Sequence, residues 1–277
     1  MTAVTTPPQL NDFLDFYAAQ PAMLATHASV DLTDTVGRMR VEDTPFTYGI
    51  IDDFLPKAVY EAILRDWPAP SAFRPAKKRD DTQFQGARRL SQDQAGTAEL
   101  GSRQVRLIEN TSDPDQDPAT GVWKQVAEAL RAPSFIRDLF DRFSTVIATH
   151  LTTIGDATGK APAFILSQSV DQGAREALEA HLDGPWKLLT VVIYLDLRGA
   201  VNQHSEQLWG TALYNTDPGS APPTYFIPNA DLELAGRVGF VPNRAFVMPN
   251  STRALHGVAG GQPDVQRRTL MSGVWLW

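Results

Sequence analysis

From residue 161 to the end of this 277-residue sequence, apolar residues come in short runs separated by Gly, Pro and Asn, at 163–170, 188–195, 210–214, 225–228, 237–241, 244–248 and 268–277. Six or seven such runs with no helix-length periodic segment between them predict an antiparallel sandwich or barrel. The first half reads differently. Leu55, Val59, Ala62 and Ile63 recur at three- and four-residue spacing until Pro68 and Pro70 stop the pattern, which predicts a helix over 56–67. A second amphipathic stretch spans 122–130, and a third follows Pro133, with Phe135, Ile136, Leu139, Phe140, Phe143 and Ile147 on one apolar face. The polar stretches 74–106 and 113–118 read as surface loops. Because helices and strands are segregated along the chain, the expectation is an α+β, mainly β unit in which a strand core is braced by N-terminal helices.

Composition narrows the chemistry. A formal net charge of −7 lacks the basic excess that nucleic-acid binding rewards, so no nucleic-acid partner is expected. The chain has no cysteine, which excludes disulfides, thiolate zinc sites, iron–sulfur clusters and a cysteine nucleophile; any metal must use His, Asp or Glu. The longest apolar run, 188–195, falls far short of the roughly 20 residues a membrane span needs. Residues 1–10 lack the basic patch and apolar core of a secretory signal, so the expectation is a cytoplasmic protein with no membrane partner. Nothing in the sequence sets an oligomeric state.

Of the five histidines, His181 has the most telling surroundings, in His181-Leu-Asp183-Gly-Pro-Trp just ahead of the run 188–195. In extended backbone, residues i and i+2 point to the same side, so an imidazole and a carboxylate can converge on one point. Taken alone, His-x-Asp occurs by chance. A third ligand would come from a distant strand, and His256 is the best candidate; two histidines and one carboxylate leave open positions on an octahedral metal, a set suited to iron(II). Beginning 11 residues further on is Arg267-Arg268-Thr269, where Arg267 and Thr269 share a face and offer a guanidinium with a hydroxyl beside it, a fit for a carboxylate.

At this point the sequence resembles the iron(II)- and 2-oxoglutarate-dependent oxygenases, in particular the prolyl-4-hydroxylase-like branch. The resemblance rests on His181-x-Asp183, the run Leu-Leu-Thr-Val-Val-Ile-Tyr194-Leu, Trp209-Gly-Thr-Ala-Leu, Pro242-Asn-Arg-Ala-Phe-Val-Met-Pro, His256-Gly-Val and Arg267-Arg-Thr, with Ile51-Asp-Asp-Phe-Leu-Pro as the entry to the catalytic domain. It implies a double-stranded β-helix, jelly-roll and cupin-like, within a domain over 45–277: helical support at 45–160, core at 161–277, and 1–44 an unassigned extension. It implies Fe(II) on the catalytic residues His181, Asp183 and His256, and 2-oxoglutarate with its distal carboxylate on Arg267, near Tyr194 and Thr269. O2 is the second cosubstrate, and hydroxylation releases succinate and CO2. Arg268 also fits the spacing; Arg267 is preferred because Arg-x-Thr matches the usual Arg-x-Ser. Where relatives usually show Gly-Gly, this chain has Trp209-Gly210-Thr211.

The expected substrate is a small molecule or an amino-acid side chain, with Trp186, His204 and Arg175 as candidate cavity residues and 74–106 and 200–207 as candidate lids. The competing class is a non-catalytic cupin-like module that holds a metal or ligand. Arg267 and Tyr194 discriminate, because a passive metal site has no need of a carboxylate clamp.

Overall fold

The computed structural model describes residues 8–20, 29–75, 103–113, 119–154, 160–173, 178–216, 226–227, 232–260 and 262–276. Thirteen strands are found among them. They are β1 (Arg40–Glu42), β2 (Tyr48–Ile51), β3 (Arg74–Pro75), β4 (Gln104–Asn110), β5 (Pro162–Gly173), β6 (Leu178–His181) and β7 (Lys187–Gly199), then β8 (Thr211–Tyr214), β9 (Phe226–Ile227), β10 (Leu234–Val238), β11 (Arg244–Pro249), β12 (His256–Val258) and β13 (Gln262–Leu276). Eight form one sheet, in the order β1-β2-β11-β7-β13-β5-β4-β3, and five form another, β10-β8-β12-β6-β9. From β5 to β8, and again from β10 to β13, each successive strand lies in the sheet opposite its predecessor. That alternation, with every pairing antiparallel, is the winding of a double-stranded β-helix, the jelly roll expected from the sequence. The two sheets face one another without closing into a barrel.

The helices are α1 (Pro8–Ala19), α2 (Thr33–Gly37), α3 (Lys57–Arg65), α4 (Gly121–Arg131), α5 (Pro133–Arg142), α6 (Ser144–Ile154) and α7 (Gln203–Leu208). The apolar face predicted after Pro133 is divided between α5 and α6 at Phe143, whose N–H closes α5 on the Leu139 and Phe140 carbonyls. Two stretches read as loops are corrected. Residues 104–106 open β4, an edge-side strand whose polar residues hid its pairing with β5, while 76–102 lie outside the described residues. Most of 200–207 belongs to α7, which Asn202 caps by accepting the His204 and Ser205 N–H groups while Ser205 Oγ accepts the Asn202 N–H. Among the described residues no helix is long and apolar enough to cross a membrane.

Strand period sorts the large sheet into two faces. Leu189, Val191, Ile193 and Leu195 of β7, Leu270 and Val274 of β13 and Phe164 and Leu166 of β5 are buried in one cluster with Leu130, Phe135, Leu139 and Phe140 of α4 and α5. Alternate residues of the same strands therefore turn the other way, toward the smaller sheet. Tyr194 joins Leu213 of β8, Phe240 and Phe246 there. The face turned from the helices is where polar residues collect.

Candidate metal centre

His181 ends β6 and His256 begins β12, and the antiparallel register sets the two directly opposite, with ring centroids 4.4 Å apart. Asp183, two residues past His181, completes a cluster in which one ligand atom from each residue lies within 4.8 Å of the others. None of the runs read as strands includes His181 or His256; each in fact stands on a strand of its own, too short for periodicity to show.

Hydrogen bonding prepares these groups for a cation. The His256 Nδ1–H donates to the Ala254 carbonyl at 2.9 Å, which leaves Nε2 with its lone pair toward the cluster. Burial pushes the His256 imidazolium to a lower pKa, and the charges of Lys187 and Arg103 act in the same direction, against Asp183 and the Ala254 carbonyl. The ring is thus neutral at neutral pH, as a metal ligand must be. Burial alone would raise the Asp183 carboxyl, but Lys187, His256, His181 and the Thr190 hydroxyl together hold it well below the usual carboxylate range. Thr190 Oγ1 donates to Asp183 Oδ2 at 2.7 Å, and the Lys187 ammonium lies 3.1 Å from Oδ1 and 3.0 Å from Oδ2. Two imidazoles and an ionised carboxylate are a donor set that fits a divalent first-row metal with open positions.

Behind Asp183, the loop is fixed from two sides. His150 of α6 donates from Nε2 to the Pro185 carbonyl at 2.8 Å, and Asn250 Nδ2 donates to the Gly184 carbonyl at 2.9 Å. His150 thus supports the turn that carries Asp183. His27 lies outside the described residues.

The interior face beside the cluster holds the residues predicted for a carboxylate. Arg267 and Tyr194 are fully buried, the guanidinium carbon 5.4 Å from the ring centroid, and Tyr194 Oη shares a 2.6 Å hydrogen bond with Thr211 Oγ1. Burial raises the Tyr194 phenol, so it is neutral, with Arg267 and Thr211 pulling the other way. Thr269 is also fully buried. Arg267 Nε and Thr269 Oγ1 are buried without a hydrogen-bond partner among the described residues. Each such group costs roughly 1–3 kcal/mol, and an anionic ligand that accepts from both would remove that cost. Arg268 points the other way: its guanidinium carbon lies 5.1 Å from the Trp67 ring centroid, with Asp196 at 3.7 Å, on the helix side. Arg267 and Arg268 thus occupy opposite faces of the sheet.

Two of the remaining candidates, Trp186 and His204, are not brought to the cluster. Trp186 packs against the helix-side core with Lys160 Nζ 4.1 Å from its ring centroid. His204 is exposed on the first turn of α7. Arg175 lies outside the described residues. Sequence reasoning missed Lys187 and Thr190, which strand alternation back from Tyr194 would have reached for Thr190. It also missed Asp171, and within the polar stretch 74–106 it did not single out Arg103.

No family model and no curated protein matches the chain. Solved structures similar to it include prolyl hydroxylases and an Fe(II)/α-ketoglutarate-dependent dioxygenase. A prolyl-4-hydroxylase from Pseudomonas putida is 15% identical, with a TM-score of 0.47 over 88% of this chain and 97% of that one. A Trichoplax adhaerens prolyl hydroxylase, in complex with a hypoxia inducible factor oxygen degradation domain fragment, is 12% identical, with 0.42 over 99% and 96%. The Fe(II)/α-ketoglutarate-dependent dioxygenase TqaL is 12% identical, with 0.44 over 93% and 90%.

Proposed function

We propose that the chain is an Fe(II)- and 2-oxoglutarate-dependent dioxygenase that hydroxylates a small molecule or an amino-acid side chain, with release of succinate and CO2. One observation of placement carries this reading. His181, Asp183 and His256 converge within 4.8 Å, and Asp183 is tied by Thr190 to the sheet face on which Tyr194, Arg267 and Thr269 are buried. A metal site with a purely structural role requires the first set and not the second.

In this reading His181, Asp183 and His256 hold the iron, and the residues on the sheet hold the cosubstrate. Arg267 receives the distal carboxylate, with Tyr194 Oη and Thr269 Oγ1 as further hydrogen-bonding groups. Bound there, iron(II) and 2-oxoglutarate supply the activation of O2 and the two electrons gained on decarboxylation. The chain fixes ligand orientation through Ala254 and Thr190, and excludes water from the anchor with Phe240, stacked on Tyr194 at 4.9 Å.

The test is anaerobic titration of the metal-free protein with Fe(II) and then 2-oxoglutarate, followed by succinate release in air. Wild type binds one Fe(II); His181→Ala and Asp183→Ala lose it while keeping the fold. Arg267→Ala weakens 2-oxoglutarate at least about tenfold, since loss of one side of a buried charge pair costs about 2–5 kcal/mol. Wild-type iron stoichiometry in both triad variants overturns the assignment. Iron without 2-oxoglutarate binding favours the binding module.

A further inference from the structure

The interior face carries a second arginine that the reading above does not use. Asp171 of β5 is fully buried and stands opposite Arg267 in the β13 register. On its other side, β4 sets Gln104 opposite Val170, so Arg103, one residue earlier, falls in line with Asp171. Three strands thus present Arg103, Asp171 and Arg267 as one cross-strand row. Arg267 Nη1 donates to Asp171 Oδ2 at 2.7 Å. Arg103 Nε stands 3.5 Å from Asp171 Oδ1 without forming a hydrogen bond to it, and its one hydrogen bond among the described residues runs from Nη2 to Ser169 Oγ at 3.1 Å. Arg103 is only 9% exposed.

Charge decides what this row is for. Among the described residues the cluster and the adjoining face bring together three cations, Arg103, Lys187 and Arg267, and two carboxylates, Asp171 and Asp183. One positive charge is left over. A divalent metal raises the surplus to three, and a dicarboxylate cosubstrate returns it to one. An uncompensated buried charge is among the costliest things a fold can contain. Asp171 gives its short, well-formed bond to Arg267 and only a longer ion pair to Arg103, whose guanidinium, bonded to Ser169 through Nη2 alone among the described residues, keeps further N–H donors. An arginine in that position offers a planar pair of donors to an incoming anion.

We propose that the substrate of this site carries a carboxylate and that Arg103, with Ser169 beside it, is the residue that binds it. The proposal rests on the dioxygenase reading, in which 2-oxoglutarate occupies Arg267. It makes the substrate an acid, and places its carboxylate on the β4 side of the cluster.

The experiment uses the full chain loaded with Zn(II) in place of iron, with and without saturating 2-oxoglutarate, so that no turnover occurs. Saturation-transfer NMR compares a panel of three- to eight-carbon monocarboxylic acids, α-amino acids among them, with their primary amides. Acids bind and their amides bind at least about tenfold more weakly, as expected when a hydrogen-bonded charge pair is lost. Arg103→Met removes that preference, Arg103→Lys keeps part of it, and both bind 2-oxoglutarate within about twofold of wild type, as a shift of under 0.5 kcal/mol allows. Three results overturn the proposal: no acid binds wild type, amides bind as well as acids, or Arg103→Met weakens 2-oxoglutarate as much as Arg267→Met does, which would make Arg103 part of the cosubstrate anchor. Failure of wild type to bind 2-oxoglutarate strikes the dioxygenase reading instead, and the acid–amide comparison without cosubstrate still judges Arg103.

Discussion

Asp183 must be an anion in a place where burial argues against it, and His256 must be neutral in a place crowded with charge. Lys187, the two imidazoles and the Thr190 hydroxyl settle the first; burial, with Lys187 and Arg103, settles the second. Both shifts are downward, and so is that of His150, which burial drives down against the pull of the Pro185 carbonyl. A depressed pKa in the folded state means that the unfolded chain takes up the proton first, so stability is lost as pH falls. For the two histidines the loss begins near the ordinary value of about 6.5, and for Asp183 only below about 3.9. The urea midpoint of the metal-free protein should therefore be level from pH 8 to 7 and decline from about 6.5 toward 5. His150→Gln and His256→Gln should each remove part of that decline. A midpoint that stays level to pH 5 in wild type would show that neither imidazole is held neutral by the fold.

Elements differ in how much of themselves they show in sequence. The strands β7, β11 and β13 were legible because each has a long apolar run, and β7 with β13 forms the centre of the large sheet. β6 and β12 span four and three residues. Nothing in so short a stretch distinguishes a strand from a loop, yet these two carry the histidines and bring them face to face. Motif order supplied what periodicity could not: His181-x-Asp183, His256 and Arg267 were readable as a set, whereas Lys187 and Arg103, single cations in unremarkable surroundings, became visible only once the strands were paired. Within Trp209-Gly210-Thr211, the glycine that is kept has a structural reason. A Cβ on Gly210 would lie 2.0 Å from the Val238 carbonyl oxygen and 3.0 Å from Gly239 Cα, backbone atoms of the neighbouring strand and turn. Gly210→Ala should therefore push β8 from β10 and destabilise the protein by about 1–3 kcal/mol, as overpacking does. Because Thr211 follows directly and meets Tyr194, the variant should also weaken 2-oxoglutarate in calorimetric titration; unaltered stability and affinity together would show that β8 is free to shift.

On the scale of the whole molecule, the large sheet separates two jobs. One face is covered by helices through a continuous apolar cluster, and the other carries the polar row and the tie to Asp183. The helical cover includes α1, from the stretch of sequence that motif reading left unassigned: Leu10, Leu14 and Tyr17 are buried in the cluster. Phe13 stacks on Phe140 of α5 at 5.4 Å, and the Tyr17 hydroxyl donates to the Arg131 carbonyl at the end of α4 at 3.0 Å. Interiors are packed too tightly to collapse fully around a deleted side chain, so Leu14→Ala should cost about 2–5 kcal/mol. The sheet lies between that cavity and the metal cluster, and none of the groups that orient His256 or Asp183 belongs to α1. The expected result is thus a split: a lower urea midpoint for Leu14→Ala, with Zn(II) affinity of the folded protein unchanged when measured at low denaturant. A matched pair makes the comparison strict. Thr190→Val removes a hydroxyl from the opposite face and should do the reverse, weakening Zn(II) more than it lowers the midpoint, because its loss frees Asp183 from its short hydrogen bond. If Leu14→Ala weakened Zn(II) as much as Thr190→Val, the two faces would be energetically coupled through the sheet, and the helices would have to be counted as part of the site.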